Sequence, residues 1–123
     1  MEKILIVEDD PDILDLVGIF LPKYGFTVAN VMRGEDTLAQ IRIFEPDIIL
    51  LDINITGTDG RVICKQLKAH ASPFKNIPVI LFSAACDLEK ETAACSANDF
   101  IQKPFDILAL VDKIKQYTNI AIS

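Results

Sequence analysis

The run Ile48-Ile-Leu-Leu51 constrains the fold more than any other part of this chain. It is apolar at every position and lies between Asp47 and Asp52. Such a short run, with no polar alternation, reads as a strand buried on both faces, as found in parallel sheets covered by helices on each side. It stops abruptly at Asp52 and gives way to a loop carrying Asn54, Thr56, Gly57, Thr58 and Gly60. An acid is thus held at the carboxyl end of a buried strand. In open α/β sheets that is the edge where ligands bind.

The rest of the chain repeats the same unit. Ile4 to Val7 is a first strand, stopping at Glu8-Asp9-Asp10-Pro11-Asp12. Acids and a proline suit a helix start, and Ile13, Leu16, Val17, Phe20 and Leu21 follow at helical spacing. Pro22 bends or ends that helix and Gly25 stops it. Phe26 to Val31 is a second strand, less apolar and nearer an edge. Gly34-Glu35 opens a second helix with Leu38, Ala39 and Ile41 inward, ending near Pro46. Thr58-Asp59-Gly60 caps a third helix whose core face is Val62, Ile63 and Leu67. After a loop over Ser72 to Asn76, Pro78 to Phe82 is a fourth strand ending at Ser83. Asp87 to Ser96 is a weak helix without a strong apolar stripe. Phe100-Ile101 is a short fifth strand ending at Lys103-Pro104, and Ile107, Leu108, Leu110, Val111 and Ile114 mark a final amphipathic helix. Five βα units predict an α/β, doubly wound, flavodoxin-like fold. It has a five-stranded parallel sheet in the order 2-1-3-4-5 and five helices.

Size and charge narrow the functional classes. The 123 residues suit one domain over 1–123, and 50% hydrophobic residues exclude a disordered chain. A net charge of −6, from 12 basic and 18 acidic residues, leaves no electrostatic footprint for direct nucleic-acid contact. Cys64, Cys86 and Cys95 are odd in number and lack metal-ligand spacing, so they read as small packing residues in a reducing compartment. The lone His70 near a helix end reads as surface. Met1-Glu-Lys runs straight into a strand, with no signal peptide, and no apolar run approaches membrane length. The expected location is the cytoplasm, with no membrane partner.

The polar residues at the strand ends share one edge of the sheet: Glu8-Asp9-Asp10, Asp52, Ser83 and Lys103. Carboxylates about 5 Å apart cost roughly 3 kcal/mol per charged pair at an effective dielectric near 20. Protonation or a divalent cation relieves that cost, and an all-oxygen donor set suits Mg²⁺. Lys103 adds a compact, movable cation, and Ser83 a hydroxyl. This set stabilises a phosphoryl group in transfer, with a carboxylate as nucleophile. Asp52 is the central candidate; Glu8 and Asp9 are better placed for metal.

With these residues in view, the chain resembles the receiver domain of bacterial two-component response regulators over essentially its full length. The resemblance is carried by Val7-Glu8-Asp9-Asp10, Leu51-Asp52-Ile-Asn54, Asp59-Gly60, Phe82-Ser83-Ala84 and Phe100-Ile-Gln-Lys103-Pro104-Phe105. It implies that Asp52 is the phosphoacceptor and that Asp9, Asp52 and the Asn54 backbone carbonyl ligate Mg²⁺, with Glu8 in support through water. Ser83 and Lys103 would contact phosphoryl oxygens, and Phe100 would be the switch aromatic coupled to Ser83. Asn54 and Ala85 match positions that tune hydrolysis. The implied donor is a histidine kinase or histidine phosphotransfer protein. The implied output is a changed surface around the fourth helix, fifth strand and fifth helix, read by a protein target or a phosphorylation-linked homodimer. The domain would not be an enzyme beyond its own phosphorylation and dephosphorylation.

The chain departs from that family's pattern in places. Thr56 stands where proline is usual, and Ser96 where glycine is usual. The Ser83 to Lys103 interval is short, and Pro22 falls within the first helix region. A haloacid-dehalogenase-like phosphatase is the competing reading, because Asp52-Ile-Asn-Ile-Thr56 nearly matches its nucleophile motif. Asn54 removes that motif's general acid. Acids after the first strand replace the phosphate-cradling loop of a flavin module. The output is read as that of a single-domain regulator acting by protein contact, the alternative being a receiver cut from a longer regulator with an effector domain.

Overall fold

The computed structural model describes residues 2–55, 57–84 and 87–118. In chain order the elements are β1 (Lys3–Val7), α1 (Pro11–Phe20), β2 (Thr27–Val31), α2 (Thr37–Phe44), β3 (Ile48–Leu51), β4 (Asn54–Ile55), β5 (Thr58–Asp59), α3 (Gly60–Lys68), β6 (Val79–Ser83), α4 (Leu88–Cys95), β7 (Asp99–Gln102) and α5 (Ile107–Tyr117). Five strands form one parallel sheet in the order β2-β1-β3-β6-β7. Counted among themselves, they run 2-1-3-4-5, as the βα alternation predicts.

The central run behaves as its composition demands. All of Ile48, Ile49, Leu50 and Leu51 are fully buried, and alternate residues point to opposite faces of the sheet. Leu5, Val7, Ile49, Leu51, Val79 and Leu81 pack with Ile41, Ile63, Leu67 and Leu88 from α2, α3 and α4. Ile4, Ile6, Ile48, Leu50, Ile80 and Phe82 pack with Val17, Leu21, Leu110, Val111 and Ile114 on the side of α1 and α5. Each fully buried Leu, Ile or Val stabilises the fold by about 1.5–3 kcal/mol relative to exposure. These two layers therefore fix the sheet register. Val7 pairs with Leu51, Leu51 with Leu81, and Ser83 with Gln102.

Several helix faces differ from the sequence expectation. Val62 is 52% exposed, and Cys64 takes the core position on α3 with Ile63 and Leu67. Ala39 on α2 and Leu108 on α5 also face outward. Phe26 is buried but precedes β2, which begins at Thr27. Gly34–Asp36 forms a 3₁₀ turn before α2 rather than the helix start itself. Pro22 lies in a second such turn, Leu21–Tyr24, where it supplies an early helical position rather than kinking α1. The loop after Asp52 is partly ordered as the β4–β5 antiparallel hairpin, with Asn54 opposite Asp59. Thr56, at its turn, lies outside the described residues.

The backbone at Ser96 accounts for the glycine that is usual there. It caps α4 with φ 65° and ψ 26°, the left-handed conformation that favours glycine. It is exposed and follows an eight-residue helix in which Leu88, Thr92 and Cys95 are buried. A Ser96→Gly variant relieves the left-handed strain and pays back part of it in unfolded-chain entropy. We expect a net gain of about 0.5–1 kcal/mol, read as a higher urea midpoint with an unchanged slope.

Candidate functional site

The parallel register brings the polar strand ends together. The Asp52 amide donates to the Val7 carbonyl at 3.0 Å, which places Asp52 beside Glu8 across neighbouring strands. The Lys103 amide donates to the Ser83 carbonyl at 2.9 Å, which brings the end of β7 alongside the end of β6. Asp10 is occupied differently. It caps α1 by accepting from the Asp12 amide at 2.9 Å, leaving Glu8 and Asp9 to the site.

Lys103 is the centre of the cluster. Its ammonium donates to Glu8 Oε1 and, at 3.0 Å, to Asp52 Oδ2. Glu8 Oε2 accepts from the amides of Asp9 and Asp10 at 2.9 and 3.3 Å. Asp52 Oδ1 accepts from the Asn54 amide at 3.1 Å. Glu8 is fully buried, and Asp52 and Ser83 nearly so. Burial pushes the Glu8 carboxyl above its ordinary value of 4.5, and the neighbouring Asp52 adds to that, against the pull of Lys103. Burial would depress Lys103, but its bonds to Glu8 and Asp52 outweigh it and raise its pKa, so the ammonium stays charged.

A third acid, Asp9, joins the two that Lys103 holds. Glu8, Asp9 and Asp52 each offer an oxygen, and these oxygens lie within 4.8 Å of one another. The donors are hard oxygens, a set that fits Mg²⁺ and is unsuited to softer metals. An open depression of about 410 Å³, lined by Asp9, Asn54, Ile55, Thr58 and Asp59, adjoins them and admits solvent. Asn54 is exposed there. Phe100 is half-buried against the α3–α4 core, with Lys113 Nζ 5.8 Å from its ring centroid. Ala85 lies outside the described residues.

Two residues beside the site carry structural parts that their place in the sequence does not show. Gly60 opens α3 directly against the Asp52 backbone: a Cβ there would lie 2.0 Å from the Asp52 carbonyl oxygen. Its amide donates to the Ile53 carbonyl at 2.7 Å. Arg61 then forks onto Asp59, Nη2 to Oδ2 at 2.7 Å, and reaches Glu91 on α4 through Nη1 at 3.0 Å. The guanidinium bond is the main cause of the lowered Asp59 pKa. The pairing of Asp59 with glycine was the available signal for Gly60; Arg61 left none.

A family model for the response regulator receiver domain matches residues 4–115, and the chain belongs to that family. Among its relatives, the uncharacterised transcriptional regulatory protein YvcP of Bacillus subtilis is 36% identical over 117 residues, 94% of this chain and 48% of that protein. The DNA-binding response regulator MtrA of Mycolicibacterium smegmatis is 29% identical, over 93% of this chain and 49% of its own. The chain thus spans about half the length of the curated relatives it matches. The beryllofluoride-activated receiver domain of Klebsiella pneumoniae RstA superposes with a TM-score of 0.83 at 27% identity, covering 94% of this chain and 97% of that one. The chemotaxis response regulator CheY4 of Vibrio cholerae gives 0.85 at 25%, covering 96% and 99%. Asp52 follows the third strand of the sheet, not the first as a haloacid-dehalogenase nucleophile does.

Two variants test this geometry. Gly60→Ala forces its methyl into the Asp52 carbonyl, and a loss of about 1–3 kcal/mol is expected from urea unfolding. Lys103→Met strips both buried carboxylates of their shared partner, at about 3–5 kcal/mol near neutral pH. The folded state holds the Glu8 proton more tightly than the unfolded one. The resulting stabilisation is complete below 4.5 and is lost as pH rises through the raised folded value. Removing Lys103 raises that value further. The gap between variant and parent should therefore narrow as pH falls from about 8 to about 5; an equal gap at both would overturn the assignment.

Proposed function

We propose that this receiver is a phosphoacceptor in a two-component phosphorelay, with Asp52 taking the phosphoryl group from a phosphohistidine. The observation that carries this is the sharing of one lysine between Asp52 and Glu8, with Asp9 completing an acid-rich edge. Asp52 attacks phosphorus through a carboxylate oxygen. The P–N bond to the donor imidazole breaks as the P–O bond forms, and the imidazole leaves with the bonding electrons and takes a proton. Lys103 turns from its present carboxylate partners to a phosphoryl oxygen, and the Ser83 hydroxyl donates to another. Asp9, Asp52 and the Asn54 backbone carbonyl would hold Mg²⁺, with Glu8 supporting through water. When bound, the ion supplies the positive charge that lets an anionic phosphoryl group enter an acidic pocket.

Buried Ser83 and half-buried Phe100 lie on β6 and β7. In this reading a shift of Ser83 toward the phosphoryl group vacates space that Phe100 enters. The surface of α4, β7 and α5 then changes for a target protein or a second copy of the chain. Asn54 and Ala85 set access of water to the phosphoaspartate. Residues 1–123 act as one cytoplasmic receiver unit, served by a histidine kinase or phosphotransfer protein and making no direct nucleic-acid or membrane contact. Output through protein contact by the domain alone is one form of this reading. The half-length match to regulators named as transcriptional or DNA-binding favours a second form, in which the receiver serves an effector domain.

Beryllofluoride with Mg²⁺ should shift the backbone amide resonances around Ser83 and Phe100, and Asp52→Asn should abolish the response. An unchanged spectrum, or an unaltered response in the variant, would remove Asp52 from the role. Asp9→Ala should weaken Mg²⁺ binding at least tenfold, roughly the loss of one ligand carboxylate, as read by titration; indifference to it would remove Asp9 from the ligand set. Phosphotransfer profiling against the histidine kinases of the source organism identifies the donor.

A further inference from the structure

Cys64 and Cys95 lie on helices α3 and α4, away from the phosphoryl site, and the proposed mechanism uses neither. Both are buried. Cys64 Sγ donates to the Cys95 backbone carbonyl at 3.3 Å, across 31 residues of sequence. Cys95 Sγ lies 3.9 Å from the Thr92 carbonyl of its own helix. We propose that Cys64 and Cys95 are a dithiol that a hydroperoxide oxidises to a disulfide joining α3 to α4.

The two sulfurs are not equivalent. Cys64 sits inside α3 and has no exposed surface. Cys95 is the last residue of α4 and lines a depression of about 360 Å³ between the two helices, together with Arg61, Lys65 and Glu91. A small oxidant reaches Cys95 by that route. Position assigns the roles: Cys95, at the mouth of that depression, is the attacking thiol, and Cys64, enclosed in α3, is the resolving thiol. The neighbouring cysteine and burial push the Cys64 thiol up, and the neighbouring Cys64 draws the Cys95 thiol below its ordinary value, in keeping with those roles.

The chemistry balances without a further reagent. The Cys95 thiolate attacks one oxygen of the hydroperoxide, the O–O bond breaks, and the departing oxygen takes up a proton to leave as water or an alcohol. Cys95 becomes a sulfenic acid. Cys64 then attacks the Cys95 sulfur, the S–O bond breaks, and water leaves with the Cys64 proton. Two thiols and one hydroperoxide yield one disulfide, water and the reduced peroxide. The sulfurs must close to about 2 Å. Cys95 has the freedom to do so, because its helix ends there and the chain turns away at Ser96.

The test uses the whole chain in its native state. Trypsin can cut at Arg61, Lys65, Lys75 and Lys90, which puts Cys64, Cys86 and Cys95 on separate peptides. Native protein is treated with hydrogen peroxide, free thiols are alkylated, and a non-reducing peptide map is taken. The expected product is a Cys64–Cys95 cross-linked peptide from monomeric protein, lighter by two hydrogens and restored by dithiothreitol. Amide exchange in α4 should slow by about tenfold or more in the oxidised form. Cys64→Ser should leave a sulfenic acid at Cys95 that dimedone traps, and Cys95→Ser should leave Cys64 unmodified. Both cysteines alkylated after peroxide, a link to Cys86, a link formed only in denaturant, or a link only between chains would each overturn the proposal. None of these readouts depends on phosphorylation or Mg²⁺, so the outcome stands apart from the assignment of Asp52.

Discussion

A single ammonium between two buried carboxylates governs this protein. Lys103 follows β7, Glu8 follows β1 and Asp52 follows β3, so the contact ties together strand ends far apart in sequence. Taking such groups out of water is costly, and the attraction between them offsets that cost only when partners and geometry are good. The two apolar layers supply that geometry, since the pairing of β1 with β3 fixes where Glu8 and Asp52 emerge. Asp9 adds a third acid to the same cluster, its oxygen within 4.8 Å of theirs. The folded core thus holds a cluster of hard oxygen donors at the sheet edge, a set that suits a divalent cation.

The same edge is connected to the helices by backbone as much as by side chains. Gly60 lets α3 begin against the carbonyl of Asp52, a closeness no side chain permits. One residue later, Arg61 binds Asp59 at the end of the β4–β5 hairpin and Glu91 on α4. A displacement of the loop after Asp52 therefore acts on α3 through its first residue and on α4 through a guanidinium. Arg61 is partly exposed, and its ion pairs are screened accordingly. Their value lies in direction more than in strength, because a forked guanidinium holds two carboxylates in a fixed relative orientation.

The sheet and the acidic cluster were legible in the sequence because each depends on an abrupt change. Ile4–Val7, Ile48–Leu51 and Val79–Phe82 are apolar runs that stop at Glu8, Asp52 and Ser83, and a parallel topology puts such stops on one edge. Helix faces were less legible. On α3, Val62, Ile63 and Cys64 are successive apolar residues, and hydropathy favours valine over cysteine; the rotation set by Gly60 against Asp52 exposes Val62 and buries Cys64. The hairpin was invisible because strands of two residues have no periodicity. Arg61 was invisible because its distant partner, Glu91, lies 30 residues on, in a helix whose placement depends on the whole fold.

Helix α4 draws these strands together. The residues at both of its ends, Asp87 and Ser96, adopt the left-handed conformation, and Asp87 makes no side-chain capping bond to it. Its local sequence therefore does little to hold it, and much of its placement comes from contacts with neighbours: the Arg61–Glu91 pair, the Cys64 thiol on the Cys95 carbonyl, and the packing of Leu88 and Cys95 on the sheet. Elements that move in response to a signal come from the low-stability end of a structure. Helix α4 follows the strand that carries Ser83 and precedes the strand that carries Phe100. In the switch proposed above, the heavily buried sheet presents the charge, and α4, placed largely through its neighbours, is the element whose position would respond.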